Sequence, residues 1–346
     1  MPVHGPRPPV PALHTRTMSR HPRRLPADLG AVFTPEQARA AGLTARRLRA
    51  KDLERPYRGV LVVTPNEHQL DDRRGDREPL ARDRAQRQDV CRRVRLYRPL
   101  MVDHAFFAGR TAAGIWGLPV DCSGDLEVGV PAPHRAPRRQ GIVGRQMSPG
   151  LVTVREVEGL PVSSPASTWA MMAATLSVRE LVILGDAVVR VPRDNQARRR
   201  PERALATVGQ LLAATAAGPR RCVGRLRDAV GRIRTESASP LETEYRLDAE
   251  DAGVPDAELD VEIRDARGRL LGVTEFEYPE YGVLVEIEGD HHRTSRQQWH
   301  RDIEKYAAYV ALGFEVVRLT SAHIRGERPT ATAIVRDALI RRGWRP

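Results

Sequence analysis

The stretch from Glu275 to His292, EFEYPEYGVLVEIEGDHH, gathers carboxylates where a strand pattern would set them side by side. Two runs, Val273–Tyr278 and Val283–Glu288, read as strands separated by a turn containing Pro279 and Gly282. Strand side chains alternate, so Glu286 and Glu288 share one face while Val283, Val285 and Ile287 take the other. A hairpin closing symmetrically about its turn places Glu275 opposite Glu286, and a slip of one residue would undo the pairing. Carboxylates crowded on a buried face repel one another and retain protons unless a cation sits among them. A hard divalent metal is the natural cation for oxygen ligands. A wet strand face would carry the same pattern, so both readings stay open at this point.

Other candidate groups flank the hairpin in sequence. Lys305 is the only lysine besides Lys51, and Gln298, Asp302 and Lys305 recur at i, i+4 and i+7 of an expected helix from about Arg296 to Leu312. An ordinary Asp302–Lys305 surface pair is the plainer account of that trio. Ser239-Pro-Leu-Glu242 has the cap, first and third residues of a capping box, which makes Glu242 a helix cap unless its helix faces the hairpin. His291, His292, His300 and Asp302 lack the cysteines and spacing of a zinc site.

The elements that must position these residues follow in order. A helix through about Ala252 leads to a strand near Leu259–Ile263, a turn at Arg267-Gly268 and the hairpin. A helix, a strand Glu315–Leu319 and a last helix from about Thr330 to Arg342 complete the segment.

The chain of 346 residues is too long for one ordinary core. Its net charge of +12 is uneven: residues 236–346 hold 15 basic and 22 acidic residues, the first 235 hold 41 and 22. A basic front and an acidic back suit a protein that grips phosphates with one part and places carboxylates with another. The preference for arginine, 54 against two lysines, matches a high-GC codon bias and carries no functional weight. No apolar run is long enough to span a membrane. The three cysteines, Cys91, Cys122 and Cys222, are far apart, which fits a reducing cytoplasm. The Pro-, Arg- and His-rich residues 1–28 read as a disordered tail rather than a secretory signal.

At the basic end, Thr34-Pro-Glu-Gln37 opens a short helix ending at Gly42. Thr44 is expected to cap a second helix, Ala45–Leu53, carrying Arg46, Arg47, Arg49 and Lys51, and Tyr57–Val63, with Arg58, reads as a strand. Helix, turn, basic helix and wing describe a winged helix-turn-helix over residues 29–66, with the second helix entering the major groove. A helical hairpin with a solvated arginine face fits the same residues. Residues 67–235 read as an α/β middle domain. A charged connecting helix spans Ala81–Leu96, and a helix His104–Leu118 ends at Gly117. Strands lie at Leu126–Val130, Gly141–Val143 and Leu151–Val157, and helices at Ser164–Leu176, Val178–Val189, Glu202–Ala217 and Arg220–Ile233. Arg193–Arg200 is a basic linker, and no nucleophile, base and orienter share a spacing in this region.

Two family resemblances rest on these residues. Phe33-Thr-Pro-Glu-Gln-Ala, Ala41-Gly-Leu-Thr, Arg46-Arg-Leu, Tyr57-Arg-Gly-Val, Thr111–Leu118 and Gly159–Thr168 resemble AbiEi-type antitoxins of bacterial abortive-infection systems. Ser239-Pro-Leu-Glu242, Gly272-Val-Thr-Glu-Phe, Val285–His292, Arg301-Asp302 and Leu312–Arg318 resemble the very-short-patch-repair (Vsr) endonuclease group over roughly residues 236–344. Together they imply a multidomain α/β protein: an N-terminal winged helix, an α/β middle domain and a C-terminal restriction-endonuclease-like α/β/α core over residues 236–346. The second resemblance implies Mg²⁺ or Mn²⁺ held by Glu275, Glu286 and Glu288, with His292, Glu242 and Lys305 completing a phosphodiester-hydrolysing site. Glu275 and Glu288 stand where that group has aspartate, one methylene longer at each position. DNA is the implied partner, contacted through Thr44, Arg46, Arg47, Arg49, Lys51 and Arg58. The antitoxin resemblance adds a toxin partner or homodimer and allows a non-catalytic regulator with a retained nuclease fold.

Overall fold

A small sheet organises the basic N-terminal residues. The computed structural model describes residues 24–63, 81–288 and 296–346, and the chain divides into two compact units with the boundary between His68 and Gln69. In the first unit β1 (Val32–Phe33), β2 (Leu53–Glu54) and β3 (Leu61–Val63) pair antiparallel in the order β1-β3-β2. Between β1 and β2 lies α1 (Pro35–Ala40), opened by the expected capping box: the Gln37 amide donates to Thr34 Oγ1 at 3.2 Å and the Thr34 amide to Gln37 Oε1 at 2.8 Å. Phe33, Ala38, Leu43, Leu48, Leu53 and Leu61 form its core.

Three expectations change here. Leu25 and Leu29 pack against that core, so residues 24–28 of the anticipated 1–28 tail are structured; residues 1–23 lie outside the described residues. The second helix does not extend over Ala45–Leu53. Thr44 Oγ1 accepts from the Arg47 amide at 3.3 Å, but a single 3-10 turn, Arg47–Arg49, follows. Residues five apart on an α-helix point about 140° apart, so one helix would separate Leu48 and Leu53, which share the same small core. The chain leaves the helix at Ala50 (ψ 150°) and Leu53 pairs with Val63. The strand expected over Tyr57–Val63 is correspondingly confined to Leu61–Val63.

The second unit opens with α2 (Ala81–Tyr97). A six-stranded sheet follows, built from β4 (Phe106–Phe107), β5 (Leu126–Pro131), β6 (Arg138–Arg139), β7 (Ile142–Met147), β8 (Val154–Val157) and β9 (Leu160–Ser163) in the order β6-β7-β5-β4-β9-β8, with α3 (Gly109–Ile115) between β4 and β5. The helix expected from His104 therefore starts late: Phe106 and Phe107 are buried in the sheet, and the chain turns into α3 through Gly109 at φ +51°. The helices α4 (Pro165–Met171), α5 (Val178–Val189), α6 (Val208–Ala216) and α7 (Val223–Val230) pack around Trp169, Leu181, Leu184, Leu211 and Leu226.

The acidic segment builds three layers. First comes α8 (Pro240–Asp251), then β10 (Glu258–Arg264), β11 (Leu270–Tyr278) and β12 (Val283–Glu288), all antiparallel. A crossover helix, α9 (Arg296–Ala311), brings β13 (Glu315–Thr320) parallel to β12, and α10 (Ser321–Arg325) and α11 (Ala331–Arg341) close the segment. Tyr245 and Ala249 of α8, Ile324 of α10 and Val335 and Leu339 of α11 cover one sheet face against Phe276, Val283, Val285 and Ile287. Tyr306 and Tyr309 of α9 cover the other, against Leu284 and Ile263.

α8 is shared between two cores. Tyr245 and Ala249 belong to the acidic segment's core, whereas Leu247 is buried with Trp169, Leu181 and Leu226 of the middle region. A buried ion pair fastens this contact: Asp186 of α5 accepts from Arg246 at 2.9 Å, from Thr243 at 2.8 Å and from the Arg234 amide at 2.8 Å. The middle and acidic regions thus form one compact unit. Among the described residues no helix is long and apolar enough to cross a membrane.

Candidate active site

β12 carries the site. Its alternation puts Val283, Val285 and Ile287 into the α8–α11 layer and turns Leu284 and Glu286 towards α9. The β11–β12 register runs Tyr278↔Val283, Glu277↔Leu284 and Phe276↔Val285, and the ladder ends there, one residue short of Glu275 and Glu286. Glu275 Oε2 accepts from the Ile287 amide.

Lys305 reaches back across the sheet from α9. Its Nζ donates to Glu286 Oε2 at 2.8 Å and to the Val273 carbonyl at 3.3 Å. It stands 5.1 Å from the Tyr306 ring centroid and 5.6 Å from that of Tyr309. The expected Asp302–Lys305 surface pair is therefore replaced by a largely buried Lys305–Glu286 pair. Glu286 is 5 % exposed, and its second oxygen, Oε1, is buried with no hydrogen-bond partner among the protein atoms; so is the hydroxyl of Tyr309. Unpaired buried acceptors are costly, so Glu286 Oε1 can take a further donor or cation, although Thr274 beside it already favours the charged form. Room is tight on this face: a Cβ added at Gly272 would lie 2.4 Å from the Tyr309 hydroxyl and 2.8 Å from Lys305 Cδ.

Glu242 arrives from the first turn of α8. Ser239 caps the helix, accepting from the Glu242 amide at 3.2 Å, but the Glu242 carboxylate does not close the expected capping box. It is 6 % exposed and accepts from the Ala238 amide at 2.6 Å. Burial pushes its carboxyl up to about 7, while Arg190 pulls the other way and Asp260 adds to the rise. Burial raises Glu275 well above the ordinary carboxylate range, and the charges of Glu242 and Glu286 raise it further. Glu286 is raised by burial as well, with Lys305 opposing. Glu275 thus feels two other acids, and Lys305, bonded to Glu286, pulls both Glu275 and Glu286 back down.

Glu288 is not part of this group. It accepts from Arg318 Nε at 2.7 Å and from the Tyr306 hydroxyl at 3.4 Å, and Arg318 lies 4.8 Å from the Tyr306 ring centroid. The metal-ligand trio Glu275, Glu286 and Glu288 is accordingly not assembled, because an arginine on β13 already neutralises its third member. Among the described residues no three His, Cys, Asp or Glu side chains converge to hold a metal ion. His291 and His292 lie outside the described residues. Comparison of the chain with protein-family models, with curated proteins and with solved structures finds no match. The site stands on its geometry.

Glu275 and Glu286 supply carboxylate oxygens, one of them orphaned, and Glu242 is near enough for its charge to raise Glu275. Sequence reasoning missed Asp260 on β10. The β10–β11 ladder pairs Leu259 with Phe276 and Val261 with Thr274, skipping Asp260, which sits at φ +54°. The interruption falls opposite Glu275.

Of the expected DNA-contacting residues in the first unit, Thr44, Arg46, Arg49, Lys51 and Arg58 are exposed. Arg47 is not: it is buried and donates to both Asp52 oxygens, at 2.9 and 2.7 Å. Its role is to hold the turn in place of the missing helix.

Proposed function

We propose that the chain binds DNA and that its acidic α/β/α layer hydrolyses phosphodiester bonds with Mg²⁺ or Mn²⁺. The observation that carries the reading is the buried Lys305–Glu286 pair beside Glu275, with an unpartnered carboxylate oxygen on Glu286. The order of elements, a capped helix, three antiparallel strands, a crossover helix and a parallel strand, also supports a restriction-endonuclease-like core. The small sheet with its capped helix and exposed Arg46, Arg49 and Lys51 supports a winged, DNA-facing first unit.

Glu275 and Glu286 would hold the ion, with water filling its remaining positions. When bound, it supplies a Lewis acid that polarises a phosphate oxygen and eases ionisation of water at neutral pH. Lys305 partly offsets the burial that raises Glu286, and its positive charge would serve a phosphate on which negative charge grows under attack. The unpaired free cysteines suit a cytoplasmic setting.

A second reading, a non-catalytic DNA-binding regulator, is favoured by one observation: Glu288 is spent on Arg318. One assay separates the two. Purified chain incubated with supercoiled plasmid and Mg²⁺ or Mn²⁺ is expected to nick or linearise it, and Glu286→Ala is expected to lose at least a hundredfold in rate. Equal cleavage by both proteins would remove Glu286 from the chemistry, and a gel shift without cleavage would leave the regulator.

A further inference from the structure

One edge of the six-stranded sheet carries a basic arm. From Val128 to Arg155 the chain has no aspartate or glutamate, and it is this absence, more than the arginine count, that sets the stretch apart. Arg135, Arg138, Arg139 and Arg145 lie on or just before β6 and β7, and all four are exposed. β6 is the end strand of its sheet, so among the described residues nothing pairs with its far side. Backbone fit lays the arm along β7. Arg138 pairs with Val143 and Arg139 with Ile142. Further along the same run, a Cβ on Gly144 would lie 2.2 Å from the Pro137 carbonyl oxygen, so glycine is what lets the chain pass this close. The His134 carbonyl accepts from Gln146 Nε2 at 2.8 Å, and the His134 ring stacks on that of His104, centroids 3.7 Å apart, which ties the start of the arm to the segment before β4. Arg138 and Arg145 occupy diagonal positions on one face of the ladder, on the order of 7–8 Å apart.

Little neutralises this charge. Glu127 is the only acid on β5, β6 and β7; it is buried and accepts from Arg145 Nε at 2.8 Å. Arg135 and Arg138 have no bonding partner among the described residues, unlike Arg318, spent on Glu288, or Arg325, spent on Glu244. We propose that the arm from His134 to Arg145 is a second contact for duplex DNA, one that grips the phosphate backbone without reading bases. The proposal rests on the reading of the chain as a DNA-binding protein and extends the contact from the first unit to the middle region. Guanidinia meet phosphate oxygens through charge-assisted hydrogen bonds, and each phosphate neutralised releases condensed counter-ions, so the contact has a signature in the salt dependence of binding. A charged end strand also keeps sheets from pairing edge to edge, but that role leaves DNA affinity untouched.

The test is fluorescence anisotropy of the full chain on a labelled duplex of arbitrary sequence, in EDTA to prevent cleavage, over salt from about 50 to 200 mM, with thermal melting of each variant. Arg135→Gln/Arg138→Gln is expected to weaken binding by about tenfold or more and to reduce the slope of log affinity against log salt by about two. Arg135→Lys/Arg138→Lys is expected to keep the wild-type slope, because a phosphate also accepts a point charge. A folded glutamine variant with wild-type affinity and slope overturns the inference; if that variant also self-associates, the arm is a guard of the sheet edge. Should the double variant melt below the wild type, Arg135→Gln alone, before β6, decides by the same readout, with a slope reduced by about one. Arm-dependent binding to vesicles of anionic phospholipid in a chain whose DNA affinity ignores the arm overturns the proposal as well. A wild type that does not bind the duplex at all overturns the DNA-binding reading together with this inference.

Discussion

Asp186→Ala is expected to remove about 3–5 kcal/mol from the stability of the unit beginning at Gln69, the usual cost of stranding one partner of a buried ion pair. Asp186 is 1 % exposed and Arg246 6 % exposed, so without Asp186 the buried guanidinium keeps only Glu250, at 2.6 Å, as a partner. The loss extends beyond the pair itself. Thr243 and the Arg234 amide also donate to Asp186, and Arg246 Nε already lacks a partner. A double Asp186→Leu, Arg246→Leu replacement is expected to cost far less, because it removes both desolvated charges together. Urea unfolding monitored by circular dichroism reads the difference. A loss below about 1 kcal/mol for Asp186→Ala would show the contact between α5 and α8 to be ornamental.

The second large effect is on pH. Glu242 is raised from the ordinary carboxylate range to about 7, and a group raised on folding contributes stability that is complete below its unfolded pKa and lost as pH climbs through its folded one. The chain is therefore expected to lose on the order of 3 kcal/mol between about pH 5 and pH 8 from this group. Glu275 and Glu286 push in the same direction. The carboxylates lowered by their partners, Asp194, Glu262 and Asp265, act at more acid pH and leave this window alone. Glu242→Gln should flatten the profile. A melting temperature that rises from pH 5 to pH 8 in the wild type would contradict the assignment.

Much of the frame was legible because it rests on local rules. Pro279 and Gly282 between two alternating runs set the β11–β12 register from Tyr278↔Val283 to Phe276↔Val285. Capping residues marked α1 and α8 to within a residue or two. What escaped depends on contacts distant in sequence. Nothing near Lys305 reveals that its partner is Glu286, nineteen residues back; its neighbour Asp302 was the better local candidate. The positive φ of Asp260 leaves no periodic trace, and its partner, Arg193, lies 67 residues away. Over Ala45–Leu53 the local helix signal was genuine, but burial of both Leu48 and Leu53 outweighed it. Glu288 looked equivalent to Glu286 by alternation, and only Arg318 on the adjoining strand distinguishes them.

Calorimetric titration with Mn²⁺ at pH 7, repeated in two buffers of different ionisation enthalpy, tests the cation site most directly. Carboxylates raised by burial must shed protons to ligate a metal. The account predicts saturable uptake of a single ion with release of about one proton, and loss of both in Glu275→Gln/Glu286→Gln. No uptake, or uptake unchanged in the double variant, would contradict it.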